Sequence, residues 1–226
     1  MSEQHIITAQ TLLEDAGVYT DEIDGVFGDN SLKAVRKLLL KAGVVPAKSN
    51  PVVKPAQTSA PAWIIEGLKH LGLKEIKGPK HNKTILQWIK NLGGWFTDDE
   101  TPWCGTFIAQ CLKEAGRSVP KHWYRALAYE SYGTKLNKPA YGCIGVMSRT
   151  GGGHVTFIVG ITNDGRYLVG LGGNQSDAVN LMKFPIARFT AFVWPAYSNN
   201  VPSSPYPDRY NLPKYDNSLK VSTKES

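Results

Sequence analysis

The chain has 226 residues, 42% of them hydrophobic, and a net charge of +7 from 26 Lys and Arg against 19 Asp and Glu. This hydrophobic share supports a packed core and excludes disorder of the whole chain, and no apolar run approaches the ~18–20 residues that a membrane-spanning helix needs. The cysteines, Cys104, Cys111 and Cys143, are too few for a disulfide framework, which suits synthesis in a reducing cytoplasm.

Two helices are predicted before residue 45. Apolar residues recur at helical spacing from Ile6 to Ala16, and a second helical pattern begins at Ser31 and stops at Gly43. Residues 1–45 carry four basic and seven acidic residues, which predicts a small acidic module. The first ten residues contain no basic stretch followed by an apolar one, so no Sec-type signal peptide is predicted.

A proline-rich segment, residues 46–61, is predicted to be an extended linker because its prolines oppose helix formation. Residues 62–197 are predicted to form the main domain, with an α+β fold in which a buried helix precedes antiparallel strands. The tail, residues 198–226, lacks periodicity and is predicted to be irregular. Residues 46–198 contain 18 basic and nine acidic residues, a balance that suits nucleic acid, an anionic membrane or a carboxylate-rich polymer, and charge alone does not choose among these.

The strongest local signal surrounds Cys104. Thr101 is predicted to be the N-cap, and Pro102 the first residue, of a helix that stops at Gly116. Cys104 then falls in the first turn, where the positive end of the helix dipole is expected to lower the pKa of its thiol. Cys111 lies two turns further along, ~10 Å away, and is predicted to be a core thiol.

A thiolate nucleophile needs a base, and the base needs a residue that orients it. His154 is the candidate base, since it follows three glycines and opens an apolar strand, and residues 163–165 predict a hairpin turn after that strand. A three-residue turn places Asn174 opposite His154, whereas a two-residue turn places Gln175 there. We prefer Asn174, with Gln175 as the alternative, and the two glycines that precede Asn174 can host a bulge that shifts either register.

Metal and nucleotide sites find little support in the sequence. It contains no HExxH or CxxC pair and no phosphate-binding GxxxxGK[ST] loop, so neither a cofactor nor a metal is expected. The metal alternative is a zinc amidase built from His122, His154 and Cys143. Four aromatic residues are candidates for the walls of a substrate cleft: Trp95, Trp103, Trp123 and Tyr124.

These features together resemble the CHAP and NlpC/P60 peptidases, the papain-like cell-wall hydrolases, over about residues 62–196. The matching residues are Trp63, Leu71, Gly72, Glu75, Ile76, Lys77, Gly78, Asn82, Ile85, Trp103, Cys104, Gly153, His154, Val155, Gly172, Gly173, Asn174 and Gln175. The resemblance implies a papain-like domain with the nucleophile helix packed on an antiparallel sheet. It further implies that Cys104 attacks an amide carbonyl, that His154 acts as base and then as acid, and that Asn174 holds the imidazole. Cys143 departs from the pattern, since many relatives have an acidic residue there.

The first 45 residues resemble the helical peptidoglycan-binding domain, through Asp24, Gly25, Phe27 and Gly28 between the two helices. Both resemblances imply a monomeric, two-module peptidoglycan hydrolase of the phage endolysin type, either an N-acetylmuramoyl-L-alanine amidase or a peptide endopeptidase. Such a protein accumulates in the host cytoplasm and reaches the wall through holes made by a holin, and nucleic acid is not expected as a partner. A contact-delivered amidase toxin fits the same chemistry. The alternative from another class is a non-catalytic wall-binding or virion structural protein on a degenerate peptidase fold.

Overall fold

The computed structural model describes residues 3–24, 26, 29–41, 60–149, 151–195 and 204–222. They belong to two units, Met1–Val52 and Val53–Ser226. Three residues of the wall-binding motif, Gly25, Phe27 and Gly28, and all of the predicted linker except its last two residues lie outside the described residues. Within the described part of the chain, no helix is long and apolar enough to cross a membrane.

The described part of the first unit contains two helices, α1 (Glu3–Asp15) and α2 (Asp29–Lys41). Both occur where the helical spacing predicts them. Among the residues of this unit whose burial is described, Leu13, Val18, Tyr19 and Ala34 form a buried apolar cluster. Gln10 is fully buried, and its side-chain amide donates to Asp24 Oδ1 at 2.8 Å and lies 3.0 Å from the Tyr19 hydroxyl. A small apolar cluster and one polar centre therefore hold this unit.

In the described part of the second unit, three α-helices precede the sheet: α3 (Ala62–Leu68), α4 (Lys83–Asn91) and α5 (Cys104–Glu114). Helix α5 packs against α3, α4 and the sheet. Every residue of α5 from Cys104 through Leu112 is buried, as expected for a helix with a continuous apolar pattern.

The described strands form one sheet: β1 (Thr134–Leu136), β2 (Ile144–Arg149), β3 (Gly152–Thr162), β4 (Tyr167–Gly172), β5 (Asn180–Pro185), β6 (Phe189–Trp194) and β7 (Lys214–Tyr215). The spatial order is β1-β6-β2-β3-β4-β5 with antiparallel neighbours, and β7 pairs in parallel with β3. Short 3₁₀ helices occur at Ala126–Ser131, Ile186–Arg188 and Pro207–Tyr210. Helices packed on an antiparallel sheet confirm the predicted α+β class.

The β3–β4 hairpin contains a bulge that changes its register. Close to the turn, Ile161 pairs with Leu168, which is the register of a two-residue turn. Further from the turn, Phe157 pairs with Leu171, which is the register of a three-residue turn. The irregularity lies in β3, at Val159, and not at the glycines that precede Asn174. Both predicted registers therefore occur in one hairpin, and the end of β3 nearest His154 follows the second.

Within the tail that the sequence predicts to be irregular, residues 204–222 contain the 3₁₀ helix Pro207–Tyr210 and the two-residue strand β7, joined by turns and bends. Strand β7 pairs with the last residues of β3, where β2 no longer covers that edge, and Ile161 N–H donates to Pro213 O at 2.9 Å. The Tyr215 ring packs over Gly160, where a Cβ would lie 2.3 Å from it. Pairing with a distant strand edge orders this segment, and a search for local periodicity does not detect such pairing.

Candidate active site

Cys104 is the first residue of α5 and is only 4% exposed. The N-cap is Trp103, whereas the sequence predicts Thr101. Thr101 N–H donates to Asp98 Oδ1 at 2.6 Å, so Thr101 stays in the preceding turn. The helix therefore starts two residues later than Pro102. This start places Cys104 among the N-terminal N–H groups that have no acceptor inside the helix.

Burial dominates the electrostatics of the Cys104 thiol. Burial raises the pKa of this thiol above its ordinary value, while the N–H groups of Val155 and Gly105 and the positive charge of Arg149 act in the opposite direction. The expected net lowering of the pKa by the helix dipole is therefore wrong, because desolvation of the thiolate outweighs it. The contact with Val155 N–H also places the sulfur beside the residue that follows His154 in β3.

The turn formed by residues 121–124 lies directly against the start of α5. A Cβ at Gly105 would lie 2.5 Å from the carbonyl oxygen of Trp123, so only glycine permits this approach. The hydroxyl of Tyr129 supports the same contact, since it donates to Gly105 O at 2.8 Å and lies 3.1 Å from Trp123 O. Backbone packing therefore fixes the segment that borders Cys104.

His154 lies in β3, where it pairs with Met147 of β2, and is 1% exposed. Its ring stacks on Phe184, with the ring centroids 5.7 Å apart and the planes inclined by 26°. The Nε2 atom of His154 lies 3.3 Å from Gln175 Oε1. The imidazole is thus held by an aromatic ring and by a side-chain amide.

The other partners of Gln175 fix the orientation of its amide. Its Nε2 donates to the backbone and side-chain oxygens of Asn180, at 2.9 Å each. Its Oε1 therefore faces His154, and it also accepts from Thr156 Oγ1 at 3.0 Å. An acceptor at this position favours the His154 tautomer with the proton on Nε2. Nδ1 is then the ring nitrogen that can accept a proton from a thiol.

Asn174, the preferred partner in the sequence analysis, makes no hydrogen bond to His154. Strand β4 ends at Gly172, and Asn174 has a φ of 54°, so the chain has already left the strand. Asn174 is 1% exposed, and its side-chain oxygen and nitrogen have no hydrogen-bond partner among the described residues. The structure therefore brings the alternative residue, Gln175, to His154.

Two glycines explain how Gln175 reaches this position. A Cβ at Gly172 would lie 2.4 Å from Gln175 Oε1, so the absent side chain leaves room for the amide. A Cβ at Gly173 would lie 2.5 Å from the Trp103 ring and equally close to Phe107, so this glycine lets the end of β4 approach α5. The pair thus joins the segment that carries Gln175 to the helix that carries Cys104.

A cleft of about 550 Å³ opens beside Cys104. Small and apolar residues form much of its wall: Ala126, Leu127, Ala128, Gly151, Gly152 and Gly153. Two arginines, Arg125 and Arg149, also line it, and no acidic side chain does so among the described residues. The cleft therefore presents positive charge and space for small groups.

The four aromatic cleft candidates separate into different environments. Tyr124 lines the cleft. Trp103 is fully buried and Trp123 is 7% exposed, and both belong to the hydrophobic core. Trp95 is 78% exposed, and its ring contacts Phe96 outside the cleft lining. Tyr124 is therefore the candidate that the described cleft wall includes, while Trp103 and Trp123 lie in the core and Trp95 lies outside the lining.

The structure does not support the zinc alternative. Within the described ranges, no three His, Cys, Asp or Glu side chains are grouped so that they could hold a metal ion. His122 lies in the exposed turn and lines the cleft, whereas Cys143 has no exposed surface, and burial raises the pKa of its thiol to about 12. The described side chains of His122, His154 and Cys143 therefore do not form a group that could hold a metal ion.

Residues 96–174 match the CHAP domain. CHAP domains are typically hydrolases that act on peptidoglycan, and the matched segment contains Cys104 and His154 and ends at Asn174. No curated protein and no solved structure matches the chain.

Sequence reasoning missed four residues around the candidate site: Arg125, Arg149, Thr156 and Asn180. Thr156 had a detectable signal, since a residue two positions after His154 lies on the same face of the strand. The sequence contained no signal for Asn180 or Arg149. The position of Asn180 depends on the pairing of β4 with β5, and that of Arg149 on the pairing of β2 with β3.

Proposed function

We propose that this chain is a cysteine-dependent peptidoglycan hydrolase that cleaves an amide bond in the peptide part of the bacterial wall. The proposal rests on two side chains held in fixed positions, Cys104 at the start of α5 and His154 in β3. Cys104 opens a buried helix beside Val155 N–H, and His154 is oriented by Gln175 Oε1 at 3.3 Å. The CHAP match supports the substrate class.

In the proposed reaction, Nδ1 of His154 removes the thiol proton as Cys104 Sγ attacks the amide carbonyl. Because burial raises the pKa of the thiol, proton removal accompanies attack and does not precede substrate binding. The imidazolium then gives the proton to the leaving amine, and the acyl group stays on sulfur as a thioester. A water molecule, deprotonated by His154, hydrolyses the thioester and regenerates the thiol.

Gln175 acts in this proposal as a positioning residue. It accepts from Nε2–H of His154 and stabilises the imidazolium without exchanging a proton itself. Its own amide is held by Thr156 and Asn180, which supports a single orientation of the ring throughout the cycle.

The wider biological role is part of the same proposal. We infer an endolysin that is made in the host cytoplasm, released with the help of a holin and active as a monomer on the wall. Residues 1–45 would tether the enzyme, and tethering to an insoluble polymer raises the local concentration of the catalytic domain. A contact-delivered toxin is the alternative setting for the same chemistry.

The decisive experiment is digestion of purified peptidoglycan followed by mass spectrometry of the fragments. The proposal predicts new amino groups and fragments that end at one amide bond, which also separates amidase from endopeptidase activity. Iodoacetamide should abolish the release and EDTA should not. Sedimentation with the walls without release of amines would instead support the non-catalytic wall-binding protein, and inhibition by EDTA alone would support a metal enzyme.

A further inference from the structure

Trp95 differs from the other tryptophans of the chain in its exposure to solvent. All six tryptophans lie among the described residues, and five of them are at most 7% exposed, whereas Trp95 is 78% exposed. An aromatic side chain stabilises a fold mainly through the apolar surface that it buries. The fold therefore gains little from this indole, which stays available to a ligand.

The backbone on both sides of Trp95 is held in place. Gly94 N–H donates to Ile89 O at 2.8 Å, and a Cβ at Gly94 would lie 3.0 Å from the Trp123 ring. On the other side, Phe96 is 6% exposed, and its ring centroid lies 5.9 Å from that of Trp123. Because both neighbours are anchored, the indole is presented from a fixed backbone position, which lowers the entropy lost when it binds a ligand.

Ring contacts lead from Trp95 to the cleft beside Cys104. The ring centroids of Trp95 and Phe96 are 5.6 Å apart, and Phe96 in turn contacts Trp123. The Trp123 and Tyr124 centroids are also 5.6 Å apart, and Tyr124 lines the same cleft as Cys104. An extended peptide covers ~3.3–3.6 Å per residue, so about five residues are enough to span this row of four rings. A saccharide joined to a peptide in the cleft therefore lies within reach of Trp95.

At least one face of the Trp95 indole is not covered by Phe96. The two ring planes are inclined by 77°, an edge-to-face contact in which one ring meets the other through its edge. The chain before the indole adds no bulk, since Gly93 and Gly94 carry no side chain. Among the described residues, none except its chain neighbours has an atom within 4 Å of a Cβ placed on Gly93. A flat ligand surface can therefore stack on the indole.

We propose that Trp95 binds a sugar ring of the glycan strand by stacking, while the attached peptide occupies the cleft beside Cys104. The face of a pyranose ring consists of C–H groups with partial positive charge, and the face of an indole carries partial negative charge. A free cation suits this position less, because residues 46–198 contain 18 basic and nine acidic residues and repel it. This inference rests on the proposed function, since it names a second part of the same polymer as a ligand.

The first test is quenching of tryptophan fluorescence by iodide in the full-length Cys104→Ala variant, which is expected to bind substrate without cutting it. The five other tryptophans are buried and residues 1–45 contain none, so aqueous iodide reports mainly on Trp95. Trp95→Phe in this background should remove most of the quenching. A tetramer of N-acetylglucosamine should protect Trp95 from iodide, and a wall peptide without sugar should not.

Three results of the quenching experiment would overturn the proposal. Quenching that the saturating tetramer leaves unchanged would show that Trp95 binds no saccharide. Protection by the peptide and not by the tetramer would assign Trp95 to the peptide. Protection that increases with protein concentration alone would assign the exposed indole to a contact between two copies of the chain.

Kinetics on soluble wall fragments give the second test. Two fragments share the cleaved bond, one with a four-sugar glycan and one with only the sugar, if any, that the bond itself includes. Trp95→Ala should raise KM for the longer fragment by about 3- to 10-fold without changing kcat, and should change KM for the shorter one by less than about twofold. Trp95→Tyr, which keeps an aromatic face, should retain most of the preference. Equal increases of KM for both fragments would mean that Trp95 supports the cleft, and would overturn the proposal.

Tyr206→Ala is the matched control, since Tyr206 is an aromatic residue of the tail that is 51% exposed and lies outside the described cleft lining. It should leave KM for both fragments unchanged. The quenching experiment separates this inference from the proposed function. If wild type releases no amino groups from walls, the proposed function fails, and protection by the tetramer still decides the inference. Digestion of walls without any protection of Trp95 would overturn the inference alone.

Discussion

The two halves of the candidate site are held by different kinds of interaction. On the helix side, Cys104 is positioned by apolar burial of α5 and by the close backbone contact at Gly105. On the sheet side, His154 is positioned by side-chain hydrogen bonds that run through Gln175 to Thr156 and Asn180. Steric changes should therefore damage the helix side, and the loss of single polar atoms should damage the sheet side.

Among the residues that position the two reacting groups, the largest effect is expected from Gln175→Ala, which removes the acceptor of His154 Nε2–H. We expect kcat on purified walls to fall by about 100-fold, since general acid–base catalysis depends on a correctly oriented ring. Gln175→Glu, which keeps an oxygen acceptor, should retain more activity. Asn174→Gly preserves the left-handed backbone and removes a side chain that makes no hydrogen bond to His154, and it should lose less than about tenfold. If Asn174→Gly lost more activity than Gln175→Ala, the orienting role would belong to Asn174.

A steric change on the helix side should have the next largest effect. The Cβ of Gly105→Ala would lie 2.5 Å from Trp123 O, so the turn must move away from α5. We expect a loss of about 1–3 kcal/mol in the free energy of unfolding, measured by urea denaturation, and slower wall digestion. Gly152→Ala is the stability control, because among the described residues none except its chain neighbours has an atom within 4 Å of the added Cβ. Equal stability of the two variants would contradict the proposed packing.

The comparison of the two halves also shows what the sequence could predict. The buried helix, its reactive thiol and the His154 strand produce local patterns of caps, apolar spacing and glycines. The choice between Asn174 and Gln175 depends on a bulge at Val159 and on the turn after Gly172, which no local pattern encodes. The late start of α5 similarly depends on the Asp98 carboxylate, which holds Thr101 N–H outside the helix.

A smaller effect is expected from Thr156→Val on the sheet side. This nearly isosteric change removes the donor to Gln175 Oε1 and leaves the direct contact between Gln175 and His154 in place. The loss of one buried hydrogen bond should reduce stability by about 1 kcal/mol and kcat by severalfold. Thr156→Ser should restore both quantities. Full activity of Thr156→Val would show that Gln175 needs no support from this hydroxyl.

The smallest effect concerns pH. It distinguishes a buried, neutral Cys104 thiol in the substrate-free enzyme from a Cys104 thiolate that is paired with a protonated His154. Because burial raises the pKa of Cys104, the neutral thiol persists to higher pH in the folded domain than in the unfolded chain. The stability that the protonated thiol contributes is complete below the ordinary cysteine pKa of ~8.5 and is lost as pH rises through the higher folded-state value. Alkylation of Cys104 in the substrate-free enzyme should accelerate through that same higher range. An alkylation rate of Cys104 that already reaches its plateau at acidic pH would contradict this description.

The central claim is that one sulfur performs the hydrolysis. The most direct measurement is the rate at which new amino groups are released from purified walls by Cys104→Ala, compared with wild type at equal concentration and with folding checked by circular dichroism. We expect no release above the spontaneous background from the variant and steady release from Cys111→Ala, whose sulfur lies in the core. Undiminished release by folded Cys104→Ala would contradict the account.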